Sequence, residues 1–173
     1  MTRLVPTPPL VLVALGSNLG DSPALLHAAM DRLEALAGAP GRRSSLWSTP
    51  PVDCPPGSPD FINAAMVLSA PVGGSPESWL VQTQALEREF GRHPKVQFNE
   101  PRALDVDLIA WGRERRATPE LILPHPRAHE RRFVLQPLAE LVPDLIWPGQ
   151  SRTVAELLAR CPVEPNLRRL ESA

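Results

Sequence analysis

Two carboxylates separated by one residue are the sharpest chemical feature of the chain. Asp105 and Asp107 stand in the otherwise apolar run Leu104-Asp105-Val106-Asp107-Leu108-Ile109. Side chains two residues apart on a β-strand point to the same face, so the two carboxylates are predicted to project together, away from the apolar side chains. Neighbouring carboxylates repel each other unless a cation lies between them, and Mg²⁺ prefers such oxygen ligands. The pattern predicts a Mg²⁺ site; the alternative is an acidic strand face exposed to solvent.

Basic residues surround this strand in the sequence. They are Arg92 and Lys95 before the strand, Arg102 at its start, and His125, Arg131 and Arg132 after it. The planar guanidinium group of arginine matches two phosphate oxygens at once, which makes it better suited than lysine to bind phosphate. Metal-binding carboxylates beside arginines that bind oxyanions are the arrangement that phosphoryl transfer needs. The mixed-charge run at 113–116, by contrast, indicates solvated surface in a hairpin turn.

The common nucleotide-binding motifs are absent from the sequence. It contains neither Gly-x-x-x-x-Gly-Lys-Ser/Thr nor Gly-x-Gly-x-x-Gly, and it lacks the signatures of protein kinases. If the chain binds ATP, it does so outside the common nucleotide folds.

A second cluster of residues is typical of a site for a planar heterocycle. Phe61 and Asn63 share a strand face by the same period of two, and Thr49-Pro50-Pro51 precedes them. The aromatic ring offers a flat apolar surface, and the amide offers hydrogen-bond donors and acceptors. From these residues alone, an aromatic core residue beside a capping asparagine is an equally good interpretation.

Composition narrows the class of protein. The chain has 173 residues, of which 43% are hydrophobic, and its net charge is -1. We therefore expect one domain over residues 1–173, with 1–9 and 162–173 peripheral, and no protein-wide basic field for nucleic acid. The longest apolar run, near 10–15, is too short to span a bilayer, and no convincing signal peptide precedes it. Cys54 and Cys161 form no metal-type spacing, so we expect two reduced thiols in a cytoplasmic protein.

The order of predicted elements indicates a ferredoxin-like α+β fold. Strands are predicted at 10–15, 44–49, 61–69 and 104–111, with helices that begin at Ser22-Pro23 and Ser75-Pro76 and end at Gly38 and Gly91. A hairpin at 113–123, a short helical region after Pro126 and a last helix with a Thr153–Glu156 capping box follow. The order βαββαβ predicts a mainly antiparallel sheet with helices on its faces and a small extra hairpin.

Several motifs, in order from about residue 12 to about residue 148, resemble the 6-hydroxymethyl-7,8-dihydropterin pyrophosphokinase family. The most specific is the segment from Pro101 to Ile109, which is similar to the family signature. The supporting segments are 14–21 (ALGSNLGD), 49–51 (TPP), 61–65 (FINAA), 87–92 (EREFGR), 123–126 (LPHP) and 131–138 (RRFVLQPL).

The resemblance implies a reaction, substrates and a set of residues. Pyrophosphate would pass from ATP to the hydroxymethyl group of the pterin, giving AMP and a pterin diphosphate in folate biosynthesis. It implies two Mg²⁺ ions on Asp105 and Asp107, no nucleic acid or membrane partner, and lids at 50–59 and 92–101. The implied catalytic residues are Arg92, Arg102, Asp105 and Asp107. The implied ATP-binding residues are Gln84, Glu87, Arg102, Leu108, His125 and Arg131. The implied pterin-binding residues are Thr49, Pro50, Phe61, Asn63 and Phe133.

The second lid departs from the pattern of many relatives. Phe98-Asn99-Glu100-Pro101-Arg102 stands where they carry Arg-Trp-Gly-Pro-Arg, and Pro94 and Glu120 stand where some carry arginine. These changes could alter lid closure, the affinity for ATP and the reaction rate. One alternative to an active enzyme is therefore a pseudoenzyme that binds the pterin without turnover. A ferredoxin-like RNA-binding module is another. It predicts exposed aromatic residues and a basic sheet face, whereas carboxylates stand on the strand at 105–107.

Overall fold

The elements follow the predicted order, with short strands added to it. The computed structural model describes residues 7–51, 54–93 and 100–171. The strands are β1 (Leu10–Ser17), β2 (Arg42–Arg43), β3 (Trp47–Thr49), β4 (Phe61–Ser69), β5 (Asp105–Trp111), β6 (Arg116–Ala117), β7 (Ile122–Leu123) and β8 (Arg168–Arg169). The helices are α1 (Ser22–Ala37), α2 (Pro76–Glu89), α3 (Arg132–Leu141) and α4 (Val154–Arg160), with a 3-10 turn at Ala128–Glu130.

The main sheet confirms the ferredoxin-like prediction. Its strand order is β5-β1-β4-β3-β8, and β2 also pairs with β4. Every pairing in it is antiparallel. The predicted hairpin after β5 is the separate two-stranded sheet of β6 and β7. The central strand β1 therefore lies between β4 and β5, so residues from all three strands can meet on one face.

Only the last part of the strand predicted at 44–49 forms, as β3, while β2 lies just before the predicted range; Ser44, between the two, gives the physical reason. The backbone N–H of Ser44 donates to the carbonyl oxygen of Ala65 at 2.9 Å, but the N–H of Ala65 donates to the Ser44 hydroxyl at 2.8 Å. A side-chain oxygen thus accepts the hydrogen bond that a backbone carbonyl accepts in a regular ladder. The regular pairing stops there and resumes at β3, which leads into Thr49 and Pro50.

Each face of the sheet carries its own apolar core. On one face α1 and α2 pack against alternate residues of the central strands, among them Val13, Met66 and Leu108. On the other face α3 and α4 cover Leu12, Val67 and Ile109. The period of two that places Leu108 under the helices therefore turns Asp105 and Asp107 to the α3 side.

Helix ends follow the predicted signals with one shift. The N-cap of α1 is Asp21, whose carboxylate accepts from the N–H of Ala24 at 3.1 Å, and Ser22 is the first helical residue. Gly38 ends this helix in the left-handed region with φ 72, as the sequence predicts. The capping boxes at Ser75 and Thr153 both form. Among the described residues no helix is both long and apolar enough to cross a membrane.

Candidate active site

A cavity of about 310 Å³ opens on the α3 side of the sheet, beside the N-terminal end of α3. Its wall combines sheet residues, loop residues and residues around the 3-10 turn. The sheet residues are Ala14, Leu15, Gly16, Thr49, Phe61, Asn63, Asp105 and Asp107. The others are Pro50, Cys54, Arg102, Arg127, Glu130, Arg131, Phe133, Val134 and Glu164. The two clusters predicted from the sequence, the carboxylate pair and the aromatic–amide pair, thus line one cavity.

The two carboxylates differ in their surroundings. Asp105 accepts from Arg92 at 2.7 Å and lies 3.5 Å from the guanidinium group of Arg102. Asp107 makes no ion pair or hydrogen bond with the described side chains. Burial raises the pKa of Asp107 to about 7, and the negative charge of Asp105 adds to that shift. A carboxylate that is costly to ionise alone gains from a cation beside it.

Glu87 fixes the arginine that faces Asp105. Its carboxylate accepts from the backbone N–H of Val106 at 2.8 Å and pairs with Arg92. Burial raises the pKa of Glu87, although that hydrogen bond and the charge of Arg92 oppose the shift. The residue thus joins α2 to β5 and holds Arg92 against Asp105. The sequence signal for Glu87 was only its place in the family motif.

Arg102 is held at the cavity by the end of β1. Its backbone N–H donates to the side-chain oxygen of Asn18 at 2.9 Å, and its carbonyl accepts from the Asn18 N–H at 3.1 Å. The guanidinium carbon lies 5.7 Å from the centre of the Phe61 ring. Its Nε is buried and has no hydrogen-bond partner within the part of the chain that the structure describes. An oxyanion in the cavity would give that donor a partner.

The cavity wall also contains an amide that is fixed by a hydrogen bond. Asn63 donates from its side-chain nitrogen to the Thr49 hydroxyl at 2.8 Å, which orients its oxygen. Gly16 lies beside Asn63 in the β1–β4 register. A side-chain carbon at Gly16 would lie 3.3 Å from the Asn63 oxygen and 3.8 Å from the Phe61 ring. The absence of a side chain at this glycine therefore keeps the cavity open.

Two aromatic residues line the cavity from different elements. Phe133 belongs to α3, and Phe61 belongs to the sheet. The guanidinium carbon of Arg131 lies 5.6 Å from the centre of the Phe133 ring. Each aromatic residue of the cavity therefore has an arginine beside it, Arg102 next to Phe61 and Arg131 next to Phe133. A planar ligand and an anionic group can be bound as neighbours by such a pairing.

Five of the predicted residues do not line the cavity. Gln84 is exposed on α2, and Leu108 is buried in the core under α1 and α2. Glu87 and Arg92 lie behind Asp105. His125 donates its backbone N–H to Ile109 at 2.8 Å, and burial together with the charges of Arg131 and Arg127 lowers its pKa. Pro94, Lys95, Phe98 and Asn99 lie outside the described residues, and Glu120 is exposed in the β6–β7 hairpin.

Some cavity residues were not found by sequence reasoning. The chief ones are Gly16, Arg127, Glu130 and Glu164. Gly16 carried a signal, because it belongs to the motif that ends β1. Arg127 directly follows another motif but has no periodic pattern of its own. Glu164 comes from the segment that we expected to be peripheral, which returns to the sheet through the pairing of β8 with β3.

Arg132 has a structural contact. Its guanidinium group donates to the carbonyl oxygens of Leu158 at 3.3 Å and Cys161 at 3.1 Å. It therefore joins the start of α3 to the end of α4. Of the two adjacent arginines, only Arg131 lines the cavity.

Comparison with known proteins gives a consistent result. Residues 12–143 match the family described as 7,8-dihydro-6-hydroxymethylpterin-pyrophosphokinase. The chain is 38% identical over 167 residues to the 2-amino-4-hydroxy-6-hydroxymethyldihydropteridine pyrophosphokinase of Pseudomonas aeruginosa, covering 94% of this chain and 98% of that protein. It is 36% identical over 162 residues to the enzyme of the same name from Synechocystis, covering 90% and 81%. It is 38% identical over 130 residues to the enzyme of the same name from Bacillus subtilis, covering 75% of this chain and 75% of that protein.

Proposed function

The chain belongs to the 7,8-dihydro-6-hydroxymethylpterin-pyrophosphokinase family, and we propose that its cavity brings the pterin and the phosphates of ATP together. The chain is an ATP-dependent pyrophosphokinase of folate biosynthesis. It transfers pyrophosphate from ATP to the hydroxymethyl group of 6-hydroxymethyl-7,8-dihydropterin, giving AMP and the pterin diphosphate. The observation that carries the assignment of residues is the meeting of the carboxylate pair with the aromatic–amide pair in one cavity.

The pterin ring is bound between Phe61 and Phe133 in this proposal. Stacking on aromatic rings uses the flat faces of the heterocycle. The oxygen of Asn63, fixed by the hydrogen bond to Thr49, accepts from an N–H group on the ring edge. The backbone around Thr49 and Pro50 reads the rest of that edge. The hydroxymethyl group then points toward Asp105 and Asp107.

The phosphates of ATP are bound by Arg92, Arg102, His125 and Arg131 in the same proposal. The resemblance also assigns Gln84, Glu87 and Leu108 to ATP; because none of them lines the cavity, we propose that they act from α2 and β5 and not from the cavity wall. Arg102 and Arg131 line the cavity directly, whereas Arg92 reaches it through Asp105. Their work is to orient the polyphosphate and to neutralise the charge that develops on its oxygens. The resemblance also implies lids at 50–59 and 92–101 that would exclude water on closing; residues 52–53 and 94–99 of these segments lie outside the described residues.

The carboxylate pair fits Mg²⁺, and we propose that two ions bind there together with ATP. Two carboxylates supply fewer ligands than Mg²⁺ needs, and among the described residues no group of three or more His, Cys, Asp or Glu could hold a metal. Mg²⁺ characteristically takes one or two carboxylates and completes its shell with phosphate oxygens and water. Asp107, raised in pKa, and Asp105 beside it provide such a donor set. Bound metal supplies charge neutralisation at the polyphosphate.

Pyrophosphoryl transfer requires a straight line between the attacking and leaving oxygens. The hydroxymethyl oxygen of the pterin attacks the β-phosphorus of ATP and loses its proton, the bond from that phosphorus to the oxygen that bridges to the α-phosphorus breaks, and AMP leaves with that oxygen. The residues contribute by position: the rings fix the pterin, and the arginines fix the phosphates. In this proposal Arg102 donates to an oxygen of the transferred group through its Nε, which has no hydrogen-bond partner among the described residues.

The proposal is tested by the release of AMP from ATP and Mg²⁺ with and without 6-hydroxymethyl-7,8-dihydropterin. We expect AMP, and not ADP, to form only when the pterin is present. Pterin binding without AMP would instead identify a pseudoenzyme, and failure to bind either substrate would remove the assignment of the cavity. Binding of single-stranded RNA in place of both substrates would favour the RNA-binding alternative.

Removing the ring of Phe133 should weaken pterin binding more than ATP binding. Phe133→Ala deletes one of the two stacking surfaces but leaves Asp105, Asp107 and Arg131 in place. We expect the Kd of the pterin to rise about 10-fold, as the loss of one aromatic contact implies, and that of ATP to change little. Calorimetric titration of each ligand measures this. Phe133→Tyr, which keeps the ring, is the matched control. Equal losses for both ligands would contradict the place given to Phe133.

A further inference from the structure

Arg127 is a cavity residue whose charge no described carboxylate neutralises. It lines the cavity just before the 3-10 turn, and its backbone N–H donates to the Nδ1 of His125 at 3.3 Å. The turn then closes through the N–H of Arg131, which donates to the carbonyl of Ala128 at 3.2 Å. Residues 127 and 131 are thereby brought to the same wall of the cavity.

The two arginines next to Asp105 differ from Arg127 and Arg131 in their pairing. Arg92 and Arg102 both face Asp105. Arg127 and Arg131 form no ion pair with any residue that the structure describes. Two further carboxylates, Glu130 and Glu164, line the cavity, but neither pairs with these arginines. Both Arg127 and Arg131 line the cavity, and burial, followed by the charge of Arg127, lowers the pKa of Arg131 against the opposing charges of Asp107 and Asp105.

Two neighbouring cations that form no ion pair with a described carboxylate are arranged for an anion, although the charges of Asp107 and Asp105 act on Arg131 from a distance. Repulsion between like charges is costly, and an oxyanion between them removes the cost while it satisfies donors on both. Arg131 lies beside the ring of Phe133, on which the proposed function stacks the pterin. An anion held by both arginines therefore lies close to the pterin and not at the far, nucleoside side of ATP.

We propose that Arg127 is a further substrate-contacting residue, which binds the transferred pyrophosphoryl group together with Arg131. The inference rests on the proposed function, and it specifies which phosphates the residue contacts. The β- and γ-phosphates occupy this wall before transfer as part of ATP and after transfer as part of the pterin diphosphate. AMP retains neither of these phosphates, so Arg127 distinguishes AMP from the other two ligands.

Arg127→Ala tests this assignment, with Arg113→Ala as the matched control. Arg113 is exposed and does not line the cavity. It comes after the last residue of β5, whereas Asp105 is the first residue of that strand. Equilibrium titrations would use ATP with Mg²⁺, AMP, the unmodified pterin and the pterin diphosphate. In Arg127→Ala we expect the Kd values of ATP and pterin diphosphate to rise about 10- to 100-fold, the loss expected for one charge-assisted contact. Those of AMP and the pterin should change by less than about twofold.

Each outcome is informative about Arg127 separately from the reaction. Unchanged affinities for ATP and pterin diphosphate, as in Arg113→Ala, would overturn the proposal. An equal loss for AMP would also overturn it, because the contact would then be with the part of ATP that leaves. Arg127→Lys should recover part of the lost affinity, since lysine keeps the positive charge but not the planar guanidinium group that binds two oxygens at once. A wild-type protein that releases no pterin-dependent AMP refutes the proposed function itself, whereas an active wild type with an unaffected Arg127→Ala refutes only this assignment.

Discussion

Asp107→Asn is expected to lower kcat for pterin-dependent AMP release by on the order of 10³-fold, the largest effect of any single substitution considered. The change removes one negative charge from the proposed metal site and hardly alters the size of the side chain. Asp105 alone then has to hold metal while it also faces Arg92 and Arg102. Steady-state rates measured over a range of Mg²⁺ concentrations would show the loss and whether excess metal restores any activity.

The same substitution should stabilise the protein when no substrate or metal is bound, which separates chemistry from folding. The pKa of Asp107 is about 7 in the folded chain, well above the ordinary value of an aspartate. A raised folded-state pKa gives a contribution to stability that is present below the unfolded-state pKa and is lost as pH rises through about 7. At pH 8 the wild type therefore has to bury an ionised carboxylate, and Asn removes that cost.

Chemical denaturation at pH 8 and pH 5 measures this difference. At pH 8 we expect the free energy of unfolding of Asp107→Asn to exceed that of the wild type by on the order of 1–3 kcal/mol, and at pH 5 the difference should shrink. Near-normal kcat in a folded Asp107→Asn protein would remove the residue from the metal site. A variant that loses activity because it unfolds would instead show a lower stability at pH 8.

Features that depend on local periodicity were predictable from the sequence. A period of two placed Asp105 and Asp107 on one face and Leu108 on the other, because successive side chains of any β-strand point to opposite faces, whatever the neighbouring strands are. Helix caps such as Ser75 and Thr153 were predictable for the same reason, since their hydrogen bonds close within four residues. The ferredoxin-like fold class was predictable from the order of the elements along the chain.

Features that depend on the meeting of distant segments were not predictable in this way. The pairing breaks at Ser44 because its hydroxyl replaces a backbone carbonyl as the acceptor for the N–H of Ala65. No pattern in residues 44–49 predicts this hydrogen bond. Arg127 and Glu164 line the cavity only because the 3-10 turn and the end of the chain return to the sheet. Their sequence neighbourhoods are irregular, so neither a helical nor a strand period marks the side that faces the cavity.

Gly16→Val is expected to raise the Kd of the pterin about 10- to 100-fold with little change in the Kd of ATP. The glycine is buried in β1 with Asn63 on one neighbouring strand and Asp105 on the other. A side-chain carbon there would lie 3.3 Å from the Asn63 oxygen, and two methyl groups would then extend into a cavity of about 310 Å³. Overpacking of this kind costs about 1–3 kcal/mol, which corresponds to the expected change in Kd.

The backbone of Gly16 does not itself forbid a side chain. Its φ lies outside the left-handed region, and β-branched residues are favoured in strands, so the variant is expected to fold. Gly16→Ala is the graded control, because its single carbon contacts Asn63 and leaves most of the cavity open. Titration of pterin and ATP against both variants should give a pterin Kd that rises from Gly to Ala to Val. A pterin Kd that is unchanged in a folded Gly16→Val protein would place the pterin elsewhere, since no ring stacked beside Asn63 can avoid the added methyl groups.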